Sequence, residues 1–261
     1  MYSFKKLAAA FAVVAVGAVS TSAYALTQLG FALDESGSIG SSDYNIEKAG
    51  LAAALGSLPT DGSIEITVVS YSNGVQTLVT PTVLTGASLA GIQASITGDA
   101  YSGGLTNTAG AIDTLTGLMT SSPNFVPGDA SLINISTDGS PNVGSPNGQA
   151  AAVAAGAAAA AAGIDSISFE VIGGNATTVN NAAAIAYPGP VTILPTNSVA
   201  IPNPINGSFV VPVSNIQAYA PVILAKVQSV AQVPVSGSLS LLGLGLVALG
   251  ATRVRRRSAA A

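Results

Sequence analysis

Residues 29–38 read Leu-Gly-Phe-Ala-Leu-Asp-Glu-Ser-Gly-Ser. The apolar half, residues 29–33, has the length and composition of a buried β-strand. The stretch that follows it has apolar residues at helical spacing, namely Tyr44, Leu51, Leu55 and Leu58. Because two acids and two serines follow the strand before the helix begins, the sequence predicts a strand-to-helix turn that carries polar side chains. Such turns are typical of sheets in which parallel strands alternate with helices.

The rest of residues 26–232 continues this alternation of β-branched runs and helix-like stretches. Ser41 or Ser42 is the predicted N-cap of the first helix. Residues 63–70 and 75–83 flank Asn73-Gly74, a hairpin signal, so they are predicted to be an antiparallel pair at one sheet edge. Further strands are predicted at residues 131–136, 166–172, 191–194 and 208–213, and further helices at residues 87–96, 107–119, 147–162, 177–186 and 214–230.

This order of elements predicts an α/β, Rossmann-like fold. Its central sheet is expected to be mostly parallel with one antiparallel edge strand, and helices are expected on both faces. One domain, residues 26–232, accounts for the alternation, and the chain between its two end segments is long enough for a sizeable core.

Three predicted loops bring oxygen-bearing side chains to one edge of this sheet. The first holds Asp34, Ser36 and Ser38, the second opens a helix at Thr106, and the third ends a strand at Asp138. The carboxyl ends of parallel strands share an edge, so we expect the loops to converge. Their oxygens suit a hard divalent cation, with Mg²⁺ as the first candidate and Mn²⁺ or Ca²⁺ as alternatives. Two carboxylates and three hydroxyls leave that cation an open position for an acidic group of a partner.

The composition excludes several kinds of site and partner. The chain has no cysteine and no histidine, which rules out thiol catalysis, the common zinc sites and a Ser-His-Asp triad. All 12 carboxylates lie between residues 26 and 233 against only Lys48 and Lys226, so this part of the chain has a net charge of −10. Such a surface repels nucleic acid and anionic lipid and attracts cations. We therefore expect no nucleic-acid partner.

The five residues Asp34, Ser36, Ser38, Thr106 and Asp138, in this order, closely resemble the metal-ion-dependent adhesion site of von Willebrand factor A domains. The resemblance implies three first-loop ligands, Thr106 as the second-loop ligand and Asp138 as the third-loop acid. It implies that the bound metal recognises a carboxylate of a protein or matrix partner. It also implies that binding is coupled to a shift of the last helix, residues 214–230.

Both ends of the chain have features of export. Residues 1–25 combine Lys5 and Lys6, an apolar run and small residues before a cleavage point, which is the order found in signal peptides. Residues 233–257 contain Val-Pro, a Leu- and Gly-rich run and an arginine cluster. This layout resembles the PEP-CTERM sorting signals of Gram-negative bacteria, although Val-Pro-Val-Ser replaces the usual Val-Pro-Glu-Pro.

The resemblance of the C-terminal segment implies recognition by an exosortase-type protease and transient membrane contact. It also implies delivery to the cell surface or the extracellular matrix. A plain single-pass anchor is the alternative, because the apolar run reaches only the lower limit of what a spanning helix needs. The arginines are expected to stay on the cytoplasmic side, which places the domain outside the membrane.

Other roles for the same polar residues remain open. Asp34 and Asp138 could merely cap helices and brace loops instead of binding metal, and Asn107 or Thr108 could cap the helix after the second loop. Glu35 is predicted to be a solvated neighbour of Asp34. Three tyrosines either rim the site or pack in the core: Tyr44, Tyr71 and Tyr101.

Together these features predict an exported binding protein for adhesion or matrix assembly, and not an enzyme. A structural matrix protein whose metal site does not function is the first alternative. A metal-dependent hydrolase with Asp34 as nucleophile is the second. It is disfavoured because Ser36 stands where phosphotransfer sites place another carboxylate, and because neither a Gly-x-Ser-x-Gly elbow nor a histidine base is present.

Overall fold

The computed structural model describes residues 26–231, which form one seven-stranded sheet with helices around it. The strands are β1 (Thr27–Asp34), β2 (Asp61–Tyr71), β3 (Val75–Thr85), β4 (Ser131–Thr137), β5 (Ser166–Ile172), β6 (Thr192–Ile193) and β7 (Phe209–Val213). The α-helices are α1 (Gly40–Leu55), α2 (Leu89–Thr97), α3 (Thr108–Thr120), α4 (Gly148–Ala161), α5 (Ala176–Ile185) and α6 (Tyr219–Ala231). Short 3₁₀ turns cover Pro204–Asn206 and Ile216–Ala218.

The strand order is β3-β2-β1-β4-β5-β7-β6. Only β3 runs antiparallel to its neighbour, β2, and the other pairs are parallel. Tyr71 pairs with Val75, so Asn73-Gly74 lies in the tight loop of the predicted hairpin. The α/β prediction with one antiparallel edge strand is therefore confirmed.

The helices cover the two faces of the sheet in two groups. Helices α1, α2 and α6 share one apolar cluster, and α3, α4 and α5 share the other. Along β1 the side chains alternate, so that Leu29 and Leu33 face the first cluster and Ala32 faces the second. At Gly30 a Cβ atom would lie 2.7 Å from the sulfur of Met119, so the absent side chain lets α3 pack closely on β1.

Two details of the sequence-based prediction are wrong. Ser41 and Ser42 do not cap α1, because the first loop already turns with helical dihedrals at Ile39 and the helix begins at Gly40 without a side-chain cap. Both serines therefore lie inside the first helical turn. The predicted last helix, residues 214–230, is divided into a 3₁₀ turn capped by Asn215 and the helix α6.

The predicted signal peptide, residues 1–25, and the predicted sorting segment, residues 233–257, lie outside the described residues. Between residues 26 and 231, no helix has both the length and the apolar character needed to cross a membrane.

Candidate metal centre

The candidate centre lies at the carboxyl ends of β1 and β4, which are neighbours in the sheet. Asp34 is the last residue of β1, and Asp138 follows the last residue of β4. Thr106 lies two residues before α3 begins. The parallel pairing therefore aligns the two acids at one edge, where the N-terminal end of α3 joins them.

The first loop folds back on the carboxylate of Asp34. The side chain of Asp34 is fully buried, and its Oδ1 accepts a hydrogen bond from the backbone N–H of Ser36 at 2.9 Å. The hydroxyl oxygens of Ser36 and Ser38 lie 3.2 Å apart. The backbone N–H of Gly37 donates to the carbonyl oxygen of Gly104 at 2.8 Å, which joins the first loop to the second.

The third loop joins the first through two hydroxyl–carboxylate hydrogen bonds. Ser38 Oγ donates to Asp138 Oδ1 at 2.6 Å. Thr137 Oγ1 donates to Asp34 Oδ2 at 2.7 Å. Both acids are thus held in place by a hydroxyl from the opposite loop.

Thr106 brings the second loop to the same point. It is buried, and its backbone N–H donates to Asn142 Oδ1 at 2.7 Å while its carbonyl accepts from the N–H of Asn142 at 3.1 Å. A side chain at Gly139 would begin 3.5 Å from Thr106 Oγ1 and 3.7 Å from Ser38 Oγ. The structure therefore brings all five predicted residues together at one point of the sheet edge.

Glu35 is not the solvated neighbour that the sequence predicts. Its N–H donates to the carbonyl of Tyr71 at 2.9 Å, which extends the β1–β2 ladder by one residue and turns the side chain inward. Glu35 is only 4% exposed, and its Oε2 accepts from the N–H of Ser102 at 3.0 Å. Side chains alternate along a strand, so Glu35 lies on the same face as Leu33. This alternation is the sequence signal that could have predicted that Glu35 turns inward and supports the second loop.

The tyrosines act as packing groups and braces. Tyr44 and Tyr71 are fully buried, and Tyr71 donates its hydroxyl to the carbonyl of Ser136 at 2.9 Å. Half-buried Tyr101 packs on Tyr44 with ring centroids 6.1 Å apart, and its hydroxyl donates to the carbonyl of Ser36 at 3.1 Å. Tyr71 and Tyr101 thus hold the third and first loops from below.

The capping roles are now clear. Of the two predicted cap candidates, Asn107 caps α3 by accepting from the N–H of Gly110 at 3.0 Å, and Thr108 is the first helical residue. Neither Asp34 nor Asp138 is the N-cap of a described helix, since α1 follows Ile39 and α4 follows Asn147. The two acids are therefore not helix caps, although their hydrogen bonds with Ser36, Thr137 and Ser38 do brace the loops.

The electrostatics of the centre favour a cation. Burial raises the pKa of Asp34 to about 6, although hydrogen bonds from Thr137 and Ser36 oppose the shift. Burial also raises the pKa of Asp138, and burial raises that of Glu47 well above its usual range. Glu47 lies on α1, accepts from Ser136 Oγ and has an unpartnered Oε2. A divalent cation would supply the positive charge that these acids lack.

The candidate ligands suit a hard divalent cation that needs few negatively charged ligands. Across residues 26–231, no three Asp, Glu, His or Cys side chains are grouped so as to hold a metal ion. The candidate set instead has two carboxylates and three hydroxyls, and all of its donors are oxygen. Oxygen-only ligand sets suit Mg²⁺, Mn²⁺ and Ca²⁺.

Residues 29–140 match the family model described as von Willebrand factor type A domain. The structure is similar to that of proximal thread matrix protein 1 of the mussel byssus with a zinc-occupied MIDAS motif, at 18% identity and a TM-score of 0.60, covering 80% of this chain and 48% of that one. It is similar to the pilus adhesin SpaC of Lactobacillus rhamnosus GG at 11% identity and a TM-score of 0.60, covering 79% and 31%.

A von Willebrand factor type A protein of Catenulispora acidiphila is also similar, at 15% identity and a TM-score of 0.57, covering 77% of this chain and 42% of that one. A search of the curated proteins found no match. The chain spans about half the length of the mussel protein and less of the other two. At these identities the likenesses show the fold.

Proposed function

Because the described domain has the von Willebrand factor A fold, we propose that it is a binding module that works through one divalent cation. The cation is Mg²⁺ in the first instance, and Mn²⁺ or Ca²⁺ are alternatives. Its ligands are Asp34, Ser36, Ser38, Thr106 and Asp138. The open coordination position accepts a carboxylate from a protein or matrix partner. An open coordination position of this kind explains why the site has only two carboxylates beside three hydroxyls.

One observation carries the proposal, namely the meeting of three loops at Ser38 and Asp138. Their hydrogen bond, at 2.6 Å, spans 100 residues of sequence. The hydroxyls of Ser36 and Thr106 lie beside it. Helix caps need no such convergence, because a cap satisfies only the first turn of its own helix.

The charge distribution makes recognition conditional on the cation. Lys48 is 3% exposed and Lys226 is 5% exposed, so the surface of residues 26–231 presents carboxylates and no exposed lysine or arginine. An acidic partner is repelled by this surface unless a bound cation bridges the two. Adhesion should therefore depend on divalent metal.

An exported site of action fits the same proposal. The predicted signal peptide and the predicted sorting segment direct the domain to the cell surface or the extracellular matrix of a Gram-negative bacterium. Similar folds occur in a byssus matrix protein and in a pilus adhesin, whose names place them outside cells. These likenesses support adhesion or matrix assembly as the role of this chain.

Binding to a defined acidic surface tests the function. Sensor surfaces are coated with glutamate side chains or, as the matched control, with their methyl esters. We expect the purified chain to bind the carboxylate surface in Mg²⁺, to leave it when chelator is added, and to ignore the ester. A cation bridge requires all three results. Retention in chelator, or equal binding to the ester, contradicts the proposal.

Two further readouts separate the alternatives. A chain whose thermal unfolding does not respond to Mg²⁺, Mn²⁺ or Ca²⁺ would be a structural matrix protein with a non-functional site. Turnover of a generic phosphate ester that requires Asp34 would indicate the hydrolase. We expect a rise in melting temperature with metal and no turnover, because ligand binding to the folded state stabilises it.

A further inference from the structure

A second group of polar side chains lies beneath α6, away from the metal centre. Lys226 of α6, Asn134 of β4 and Glu170 of β5 are 5%, 7% and 0% exposed. Lys226 Nζ contacts the carboxamide oxygen of Asn134 and lies 2.7 Å from Glu170 Oε1. The ring of Phe209 forms one wall, with its centroid 4.9 Å from Nζ.

The sheet register and the helix face create this group. Asn134 pairs with Ser168 and Ser136 pairs with Glu170, so the side chains of Asn134 and Glu170 are diagonal neighbours on one face. On α6 the buried residues form an apolar stripe of Val222, Ile223, Val227 and Val230, and Lys226 lies within it. The lysine is therefore directed at the sheet and not at water.

Ionic pairing alone explains this arrangement poorly. Two charges in an apolar interior lose their hydration, which costs free energy. The attraction of a single contact offsets this cost only when the remaining polar atoms also have hydrogen-bond partners. Glu170 Oε2 has no hydrogen-bond partner. Burial lowers the pKa of Lys226, which favours the neutral and nucleophilic form of its amine.

We propose that Lys226 and Asn134 are joined by an intramolecular isopeptide bond that forms spontaneously in the folded domain, with Glu170 as the proton-transferring acid. The amine and the carboxamide are the reactants that such a condensation needs and the acid is its catalyst, and the fold holds the amine in contact with both of the others. The bond would join α6 to β4 across a separation of 92 residues. It is independent of the metal centre.

The reaction balances without any other reagent. The lone pair of Lys226 Nζ forms a bond to Asn134 Cγ, and the proton of the Glu170 carboxylic acid passes to Asn134 Nδ2. The bond between Cγ and Nδ2 then breaks and ammonia leaves. The Glu170 carboxylate takes the surplus proton from Nζ, which restores the acid. Exclusion of water protects the intermediate from hydrolysis and strengthens the polar contacts.

The surroundings suit the leaving group. A cavity of about 20 Å³ adjoins the reacting atoms and is lined by Asn134, Ser168, Lys226 and Pro204 among others. A cavity of this size holds one water molecule. Ammonia is of similar size, so it has a place to go when the carboxamide bond breaks.

Lys48 provides an internal contrast. It is also buried, but its Nζ contacts the backbone carbonyls of Thr97 and Asp99 and the face of Tyr44. Attack on a backbone carbonyl would break the chain at that residue instead of joining two side chains, so these contacts do not lead to a side-chain cross-link. Substituting Lys48 is thus a matched control for substituting Lys226.

The intact mass of the full purified chain tests the proposal. We expect wild type and Lys48→Met each to weigh less than their sequences require by one molecule of ammonia. Glu170→Gln and Lys226→Met should have their full sequence masses, because one lacks the transferable proton and the other lacks the nucleophile. Fragmentation of a wild-type digest should yield a branched peptide that joins residues 134 and 226.

The wild-type measurement alone can overturn the proposal, even if a variant fails to fold. A wild-type chain with its full sequence mass and no branched peptide means that the three side chains form only a non-covalent pair. A mass deficit that persists in Glu170→Gln would overturn the role of Glu170. A deficit that disappears in Lys48→Met would overturn the choice of lysine.

Discussion

At the scale of single residues, Asp34 is the most constrained side chain of the candidate centre. One carboxylate oxygen accepts from Ser36 N–H and the other from Thr137 Oγ1, and no lysine or arginine of the described residues pairs with it. Its second partner, Thr137, was not predicted from the sequence as part of the site. Such supporting hydrogen bonds orient ligands and tune the metal.

The raised pKa of Asp34 makes metal affinity depend on pH. The pKa is about 6 instead of 3.8, and the metal binds the ionised form, so protons compete with the cation below about pH 6. We expect the apparent affinity for Mg²⁺ to fall about tenfold for each pH unit below that point and to be nearly constant above it. Calorimetric titrations between about pH 5 and pH 8 measure this dependence. An affinity that is flat down to about pH 5 would contradict it.

The raised pKa of Asp34 also determines how the stability of the metal-free protein changes with pH. Because the folded-state pKa is raised, Asp34 contributes stability at pH values below 3.8 and loses that contribution as the pH rises to about 6. Saturating metal should remove this loss, since it binds and stabilises the ionised carboxylate. The melting temperature in metal and in chelator should therefore diverge as the pH rises through this range.

At the scale of elements, the second loop depends on a glycine conformation. Gly104 has φ of +114°, and a Cβ atom there would lie 2.7 Å from Asn73 Nδ2. Asn73 Oδ1 also accepts from the N–H of Leu105 at 2.9 Å, so the hairpin loop between β2 and β3 supports the loop that presents Thr106. The edge hairpin thus contributes to the centre although it holds none of the five candidate ligands.

Gly104→Ala should therefore weaken both the fold and the centre. We expect a loss of about 1–3 kcal/mol of unfolding free energy from the strained backbone, and a lower metal affinity because Thr106 shifts. Chemical denaturation and calorimetry measure the two effects. Gly117→Ala is the control, because that exposed position on α3 has open space and alanine favours helix. Equal effects of the two substitutions would refute this role of Gly104.

Local sequence patterns predicted most elements because each pattern reports a local preference. Asn73-Gly74 predicts the hairpin, and Asn107 is one of the two residues proposed as the cap of α3. The cap of α1 is predicted wrongly because the helix already begins at Gly40, before either serine, and has no side-chain cap. Glu35 and Thr137 were missed because their partners, Ser102 and Asp34, come from distant segments. Contacts between distant segments leave no local pattern.

At the scale of the whole molecule, the domain combines exposed or partly exposed carboxylates with two buried lysines. Five of its twelve carboxylates are buried as well, namely Asp34, Glu35, Glu47, Glu65 and Glu170. The negative charge of the surface therefore comes from the other seven, and no exposed lysine or arginine of the described residues offsets it. Divalent cations should concentrate near such a surface, and salt should screen this attraction. The charge favours cation uptake but does not select a site, which the three loops must do.

The proposed isopeptide bond would also affect the whole molecule. Asn134 lies four residues before Asp138 on the same strand and loop, and Lys226 lies in the middle of α6. A covalent bond between them would fix α6 relative to the strand that presents Asp138. The resemblance to the adhesion site implies a shift of the last helix. With the bond in place, either Lys226 stays fixed during that shift or the shift does not occur. By closing a long loop the bond would also restrict the unfolded chain.

A Mg²⁺ titration followed by calorimetry tests most directly whether the three loops hold one cation. The chains compared are wild type, Asp34→Asn, which keeps the shape of the side chain, and Asp113→Asn, which removes an exposed acid of α3 outside the centre. We predict one bound ion per chain for wild type and Asp113→Asn, and none for Asp34→Asn. Binding that is unchanged in Asp34→Asn, or a wild-type chain that takes up no Mg²⁺, Mn²⁺ or Ca²⁺, would contradict the account.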